Sequence, residues 1–402
     1  MHTVLEFPDA QAVVHSWLPE REIEPGAMEQ IITAARHPEV GPVMAVMPDC
    51  HVGYGVTIGS VFPTVNTVLP NAVGVDIGCG MCALPTGIQF DPERMDRGFW
   101  RAWGGQVSRD VPTGFSWHKQ QQELGDLERT LRAGPLQHLV RDRAAVQLGT
   151  LSGGNHFLEA QVDQDGQIWL MVHSGSRATG LKIAGFHNEL AFANSSARGL
   201  AAGRDLASLP LNDELGQDYL HDMTWATDFA LASRKQMMSS LLQALHRLLP
   251  SVDHTAGESL TGMINIHHNF ANLEVHGDAE LMVHRKGATS ARDGEIGIIP
   301  GSMGSSSFIV RGRGNEASLQ SCSHGAGRRM GRKQAKQRIS EAEFVASLAG
   351  TFSKASKSYI DEAPGAYKSI DEVVGRQLDL IEVLHVLRPL MTVKGDSGAK
   401  ED

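Results

Sequence analysis

In the stretch Val-Gly-Val-Asp-Ile-Gly-Cys-Gly-Met (73–81), Asp76 and Cys79 stand three residues apart among glycines at 74, 78 and 80. Glycine lets a backbone turn tightly, so one bend can aim a carboxylate and a thiolate together, a hard and a soft metal ligand. Taken alone, the pair fits a buried turn with a structural cysteine at least as well. Other bends present histidines in glycine-rich or polar settings: Gly-Gly-Asn-His (153–156), His-Ser-Gly-Ser-Arg (173–177), His-His-Asn (267–269) and Ser-His-Gly-Ala-Gly-Arg (323–328). Five such bends point to one site assembled from distant parts of the chain.

Asp76, Cys79, His156, His173 and His268 make a ligand set of five side chains, too many for one closed tetrahedral zinc site. The set suits two divalent ions that share a ligand, and a thiolate can bridge. Paired ions are the usual clamp on phosphate during in-line displacement. Mixed oxygen, nitrogen and sulfur ligation leaves Mn²⁺, Zn²⁺, Co²⁺ and Fe²⁺ open. His324 differs from the others because it precedes Gly325-Ala326-Gly327 and a run of cations, Arg328, Arg329, Arg332, Lys333, Lys336 and Arg338. It is better placed to attack phosphorus, forming a phosphoramidate, than to bind metal. The cationic run reads either as a solvated helix face or as a phosphate-contacting patch. Pro300-Gly301-Ser302-Met303-Gly304 is a small-residue loop that lets a ligand approach the backbone closely. Asp49 and His51, at a strand exit, either support the metal site from behind or join it, and Asp49 reads equally well as an Asx turn. No Walker A sequence occurs, and no Gly-x-Gly-x-x-Gly follows a strand, which argues against P-loop and Rossmann sites.

These residues need rigid elements to hold them. Pro25 opens an amphipathic helix over 25–36. Strands are expected at 43–47, 56–63, 168–172, 263–267, 280–283, 296–299 and 307–311, and the apolar run 168–172 reads as buried on both faces. Helices are expected at 182–195, 213–249, 341–350 and 369–388, with another starting at 325–327. In the long one Tyr219, Met223, Ala226, Ala230, Met237, Leu241, Leu245 and Leu248 share a face, and His221 and His246 are ordinary helix residues. Residues 91–147 are charged and poorly patterned, a peripheral excursion with helices near 119–132 and 136–145. The 402 residues carry a net charge of −10, 41% hydrophobic residues and 43 glycines spread along the chain. That composition is globular, and any polyanion site must be local. Cys50, Cys79, Cys82 and Cys322 have no disulfide-framework spacing. Signal peptide and membrane span are not evident, so a cytoplasmic location is expected.

The motifs MPDCHVGYG (47–55), VGVDIGCGM (73–81), GGNHFLE (153–159), HSGSR (173–177), HHN (267–269), RKGA (285–288), IIPGSMG (298–304), SCSHGAGR (321–328) and VKG (393–395) occur in this order. Together they resemble the RtcB-type RNA-splicing ligases over nearly the whole chain. The resemblance implies an α+β fold: one catalytic domain over 1–395, mixed sheets around a central metal and nucleotide cleft, peripheral helices and a disordered tail over 396–402. It implies GTP and two Mn²⁺ as cofactors, and joining of an RNA 3′-phosphate or 2′,3′-cyclic phosphate to an RNA 5′-hydroxyl.

By the same resemblance Asp76, Cys79, His156, His173 and His268 would hold the ions, with Cys79 bridging, and His324 would carry GMP covalently. The guanylate pocket would comprise Asn155, His156, Phe157, Leu158, Glu159, His268, Asn269, Pro300, Gly301, Ser302, Met303, Ser307, His324, Gly325, Ala326, Gly327 and Lys394. Arg177, Lys286 and Arg328 would contact RNA or triphosphate oxygens, with Asp49 behind the ligands. Two positions depart from the family pattern: Ser152 and Ala178 stand where glycine is usual. They suggest a divergent RNA-repair branch that works beside a release-factor-like partner. A monomer with no membrane contact is expected. The competing readings are a dinuclear phosphodiesterase or phosphatase, which needs the metal ligands but not His324, and a non-catalytic RNA-binding protein with structural metal.

Overall fold

The computed structural model describes residues 2–200, 203–250 and 260–395; the tail expected over 396–402 lies outside them. Two sheets organise an α+β fold. A six-stranded sheet runs Thr3–Leu5, Val13–Ser16, Val43–His51, Ile58–Thr64, Ala279–Lys286, Asn269–His276. A seven-stranded sheet runs Ile264–His267, Gly80–Gln89, Gln167–Ser174, Phe157–Val162, Ile381–Val393, Ser307–Gly312, Ile296–Ile299. The pairs are antiparallel except for Val13–Ser16 beside Val43–His51, so the first sheet is mixed.

The helix Glu214–Leu248 buries the face that its 3.6-residue period marks, including Tyr219, Met223, Ala226, Ala230, Met237, Leu241 and Leu245. It packs on the seven-stranded sheet. The charged excursion after residue 91 is not peripheral. Its helix Arg97–Asp110, which hydropathy does not announce, is capped by the Asp96 side chain. Trp100, Trp103 and Val107 lie in the same core as Leu241 and Leu245, and Trp103 Nε1 donates to the Leu241 carbonyl at 3.2 Å. Charge on the outer face hides a helix whose inner face is aromatic.

Three other expectations change. The stretch 119–132 is loop with one 3-10 turn, Gly125–Glu128. The chain after His324 stays irregular until the helix Arg332–Arg338, because Gly327 sits at φ +70° against the Asp49 backbone. The helix expected over 369–388 stops at Gly375. Ile381–Val393 is instead a 13-residue strand, between Phe157–Val162 and Ser307–Gly312. Its register shifts between Pro389 and Met391, which accommodates the missing proline N–H.

Candidate active site

Four neighbouring strand ends present the histidines and the cysteine along one edge of the seven-stranded sheet. His267 pairs with Gly80, Met81 with His173, and His173 with Phe157, so His268, Cys79, His173 and His156 fall side by side. Cys79 Sγ lies 3.2 Å from His156 Nε2 and 3.3 Å from His173 Nε2. His173 Nε2 lies 3.1 Å from His268 Nε2, and His156 Nε2 lies 3.1 Å from Asp76 Oδ2. Two donor triads result, Cys79/His173/His268 and Asp76/Cys79/His156, with the atoms of each within 4.8 Å of one another. Cys79 belongs to both.

The electrostatics fit divalent ions. Burial, then the neighbouring histidines, push the His173 ring well below its usual range, and burial with the rings of His324 and His173 does the same to His268. Their nitrogens therefore offer lone pairs. Two such nitrogens at 3.1 Å repel unless a proton or a cation lies between them, and burial disfavours the proton. Burial also opposes charge on Asp76, but its hydrogen bond and charge interaction with His156 hold it below the ordinary carboxylate range. Burial and Asp76 push the Cys79 thiol well up; a bound cation inverts that order and favours thiolate.

The candidate donors are braced from behind. Ser152, the departure from glycine, hydrogen-bonds His156 Nδ1 through its hydroxyl, which fixes that ring's orientation. His173 Nδ1 donates to the Asn155 carbonyl at 3.2 Å. Asp76 Oδ1 accepts from Ser176 N at 3.1 Å, at the start of the helix Arg177–Ala197, where the helix dipole favours an anion. Gly175 permits this approach, since a Cβ there would stand 2.0 Å from Asp76 Oδ1. Arg234 of the long helix is fully buried. Its Nη1 donates to the carbonyls of Gly78 at 3.0 Å and Ser174 at 2.7 Å. Its Nη2 donates to His267 Nδ1 at 3.0 Å and its Nε to Asn265 Oδ1 at 3.0 Å. One guanidinium thus ties together the segments that carry Cys79, His173 and His268.

His324 leaves the short strand Ser321–Ser323 and meets Asp49, near the end of Val43–His51. Its Nδ1 donates to Asp49 Oδ2 at 2.7 Å, and its backbone N donates to the same oxygen at 3.2 Å. Asp49 is completely buried. It serves the histidine rather than the metal donors, and the Nδ1 bond leaves Nε2 as the ring's available lone pair. The His324 and His268 ring centroids are 4.8 Å apart, so His324 stands over the donor set.

A cleft of about 580 Å³ opens above, in the size range of small-molecule sites. Asn155, Phe157, His173, Pro300 to Met303, His324 to Arg328 and Lys394 line it. Leu158, Glu159, Asn269, Ser307, Arg177 and Lys286 do not. Leu158 faces the core, as strand alternation requires. Glu159 is buried, accepting from Gln161 and from Thr392 Oγ1 at 2.6 Å. Asn269 donates to the Asp76 carbonyl at 3.1 Å and accepts from Gly287 N at 3.0 Å. Ser307 Oγ accepts from Gly301 N at 3.2 Å and so braces the 300–304 loop. Lys286 Nζ donates to the carbonyls of Asn71, at 2.9 Å, and Tyr54, and burial brings it down to about 8. Arg177 adopts φ +57° and donates to the Gly114 carbonyl at 2.7 Å.

Glu362 and Arg234 were not found from sequence. Glu362 accepts from Arg332 Nη1 at 2.6 Å, Tyr367 Oη at 2.8 Å, Lys394 Nζ at 3.2 Å and Arg328 Nη1 at 3.3 Å. Burial opposes its charge, yet Lys394, Arg332 and Arg328 bring it down to about 2. Part of the cationic run is therefore folded inward as the cleft wall. No local pattern marks either residue, because each acts through partners far away in the chain.

A family model described as tRNA-splicing ligase RtcB matches residues 30–139 and 132–395. The chain is 38% identical over 412 residues to RNA-splicing ligase RtcB of Escherichia coli K12, covering 96% of this chain and 98% of the relative. It is 33% identical over 406 residues to RNA-splicing ligase RtcB2 of Escherichia coli ATCC 25922, covering 94% of each. It is 30% identical over 441 residues to tRNA-splicing ligase RtcB of Thermococcus kodakarensis, covering 92% and 91%.

Proposed function

The chain belongs to the RtcB family of RNA-splicing ligases and is an RNA ligase; from that premise we propose that it uses GTP and two Mn²⁺ to join an RNA 3′-phosphate, or a 2′,3′-cyclic phosphate once opened, to a 5′-hydroxyl. The observation that carries this reading is His324, with one ring nitrogen bonded to buried Asp49 and the other free above two donor triads that share Cys79. A dinuclear phosphodiesterase would need the triads but not this histidine.

His324 Nε2 attacks the α-phosphorus of GTP; an N–P bond forms as the P–O bond to pyrophosphate breaks. Asp49 keeps the proton on Nδ1 and offsets the positive charge that the ring acquires. An oxygen of the RNA 3′-phosphate then attacks the same phosphorus, releasing His324 and leaving GMP on the RNA end. The 5′-hydroxyl attacks the capped 3′-phosphorus, gives up its proton, and expels GMP. Capping replaces hydroxide, a poor leaving group, with a phosphate monoester. Mn²⁺ held by the two triads would neutralise phosphate charge and polarise the P–O bonds under attack. Lys394, Arg328 and Arg332 line the cleft and supply charge to phosphate oxygens. The 300–304 loop offers backbone to the nucleotide. A cytoplasmic setting, in which the buried free thiols stay reduced, belongs to this reading.

The test is incubation with Mn²⁺ and GTP labelled at the α-phosphate. Label bound to the protein and lost in His324→Ala supports the ligase mechanism. Absence of label together with phosphodiester hydrolysis overturns it in favour of the hydrolase.

A further inference from the structure

The loop after the helix Arg97–Asp110 carries two aromatic rings into solvent, Phe115 at 40% exposure and Trp117 at 38%. Neither ring enters the mechanism above. The loop is fastened to the active site. Gly114 N donates to the Leu151 carbonyl at 2.8 Å, and Leu151 N donates to the Pro112 carbonyl at 3.0 Å. Leu151 immediately precedes Ser152, whose hydroxyl holds His156. The Gly114 carbonyl receives Arg177 at 2.7 Å. Gly395, next to Lys394, packs so closely that a Cβ there would stand 2.4 Å from the Ser152 carbonyl oxygen and 3.1 Å from Gly114 N. Phe115 therefore follows a residue that touches the segment before His156, Arg177, and the backbone next to Lys394. Gly114 itself sits at φ +64°, a turn that favours glycine and sends the next residues outward.

The chemistry of this surface matches a single-stranded polyanion that has flat bases. The Arg143 guanidinium lies 4.7 Å from the Trp117 ring centroid. Close by in sequence Lys119 and Arg141 are exposed, as are the carboxylates of Asp142 and Glu123. Aromatic faces interleaved with arginine are how proteins hold unpaired bases without reading their sequence.

We propose that Phe115 and Trp117 form a stacking platform for unpaired bases of the RNA substrate next to the ends being joined, with Arg143 reaching the adjacent phosphates. The proposal rests on the assignment of the chain as an RNA ligase and adds to it a place where the strand lies. Stacking of this kind alters binding by roughly tenfold for each base.

The experiment uses full-length, Mn²⁺-loaded protein and single-stranded RNA bearing a 3′-phosphate or a 5′-hydroxyl, each also made with one near-terminal nucleotide abasic. Trp117→Leu keeps apolar bulk and loses the wide ring face; Trp117→Phe keeps a ring. The expected result is a Kd for RNA about tenfold higher in Trp117→Leu and largely restored in Trp117→Phe, with the KM for ligation rising alongside it and kcat nearly constant. On the RNA whose stacked base is missing, wild type and Trp117→Leu should become equal. Equal affinities of wild type and Trp117→Leu for intact RNA would overturn the proposal, as would the same loss on intact and every abasic RNA. A change of molecular mass in solution without a change in RNA affinity would also overturn it, making the rings a contact between proteins. Protein–GMP formation measured without RNA reports separately on the nucleotide chemistry: its failure in wild type would remove that mechanism and leave the RNA comparison standing.

Discussion

Replacing Asp49 with asparagine changes one buried atom and should slow the proposed nucleophile. Asp49 Oδ2 accepts from both His324 Nδ1, at 2.7 Å, and His324 N, at 3.2 Å. An asparagine whose carbonyl takes the place of Oδ2 keeps both bonds, and its NH₂ then takes the place of Oδ1, a buried oxygen with no hydrogen-bond partner among the described residues. The exchange leaves that NH₂ a buried donor without a partner, and it replaces a carboxylate acceptor for the Nδ1 proton with a weaker amide one. It also removes the negative charge facing a ring that becomes cationic on reaction. A hydrogen bond to a charged group contributes about 1.5–3 kcal/mol. The expected loss is therefore roughly tenfold to a hundredfold in the rate of GMP transfer to the protein. Single-turnover labelling with α-labelled GTP measures that rate, with bound manganese and the thermal midpoint as controls. The reasoning fails if Asp49→Asn, folded and fully metal-loaded, labels within about threefold of wild type. That outcome would mean that the charge on Asp49 does not assist the histidine.

Cys79→Ala removes the donor common to both triads, so both ions should be lost together while the fold persists; elemental analysis showing full metal content would contradict bridging. Arg234→Leu strands the carbonyls of Gly78 and Ser174 and should lower unfolding free energy by about 3 kcal/mol; an unchanged denaturation midpoint would show that the guanidinium is dispensable. Glu159 is raised from 4.5 to about 7 because burial outweighs its hydrogen bonds to Thr392 and Gln161. The folded protein therefore holds a proton that the unfolded chain has released, so stability falls as pH rises from 4.5 to about 7. Glu159→Gln should flatten that slope by about 3 kcal/mol, and parallel melting curves for the two proteins would refute the assignment.

The donors were legible because each sits in a bend that glycine or a strand end makes conspicuous: Cys79 between Gly78 and Gly80, His173 after the apolar run of its strand. That two ions would share a donor was legible from the ligand count, and the resemblance named Cys79 as that donor. What lay behind them was not. Arg234 reads as one more charged residue in a helix, and its burial appears only when Gly78, Ser174 and His267 converge on it. Glu362 lies 34 residues from Arg328, beyond any local period. The helix Arg97–Asp110 was missed because its outer face is charged and glycines interrupt it. The strand Ile381–Val393 was read in part as helix because a short apolar run lacks a decisive period, and sheet neighbours decided the matter.

Because His268, Cys79, His173 and His156 project from adjoining strands, the ladder repeat of about 4.8 Å, rather than the cation, spaces them. The edge behaves as a calliper set in advance by backbone hydrogen bonds. Chelation should then empty it without melting the protein, unlike small domains whose folding is the metal-binding reaction itself. Free energy released on ion capture goes into affinity, and an ion of the wrong radius meets an aperture that does not readjust to it.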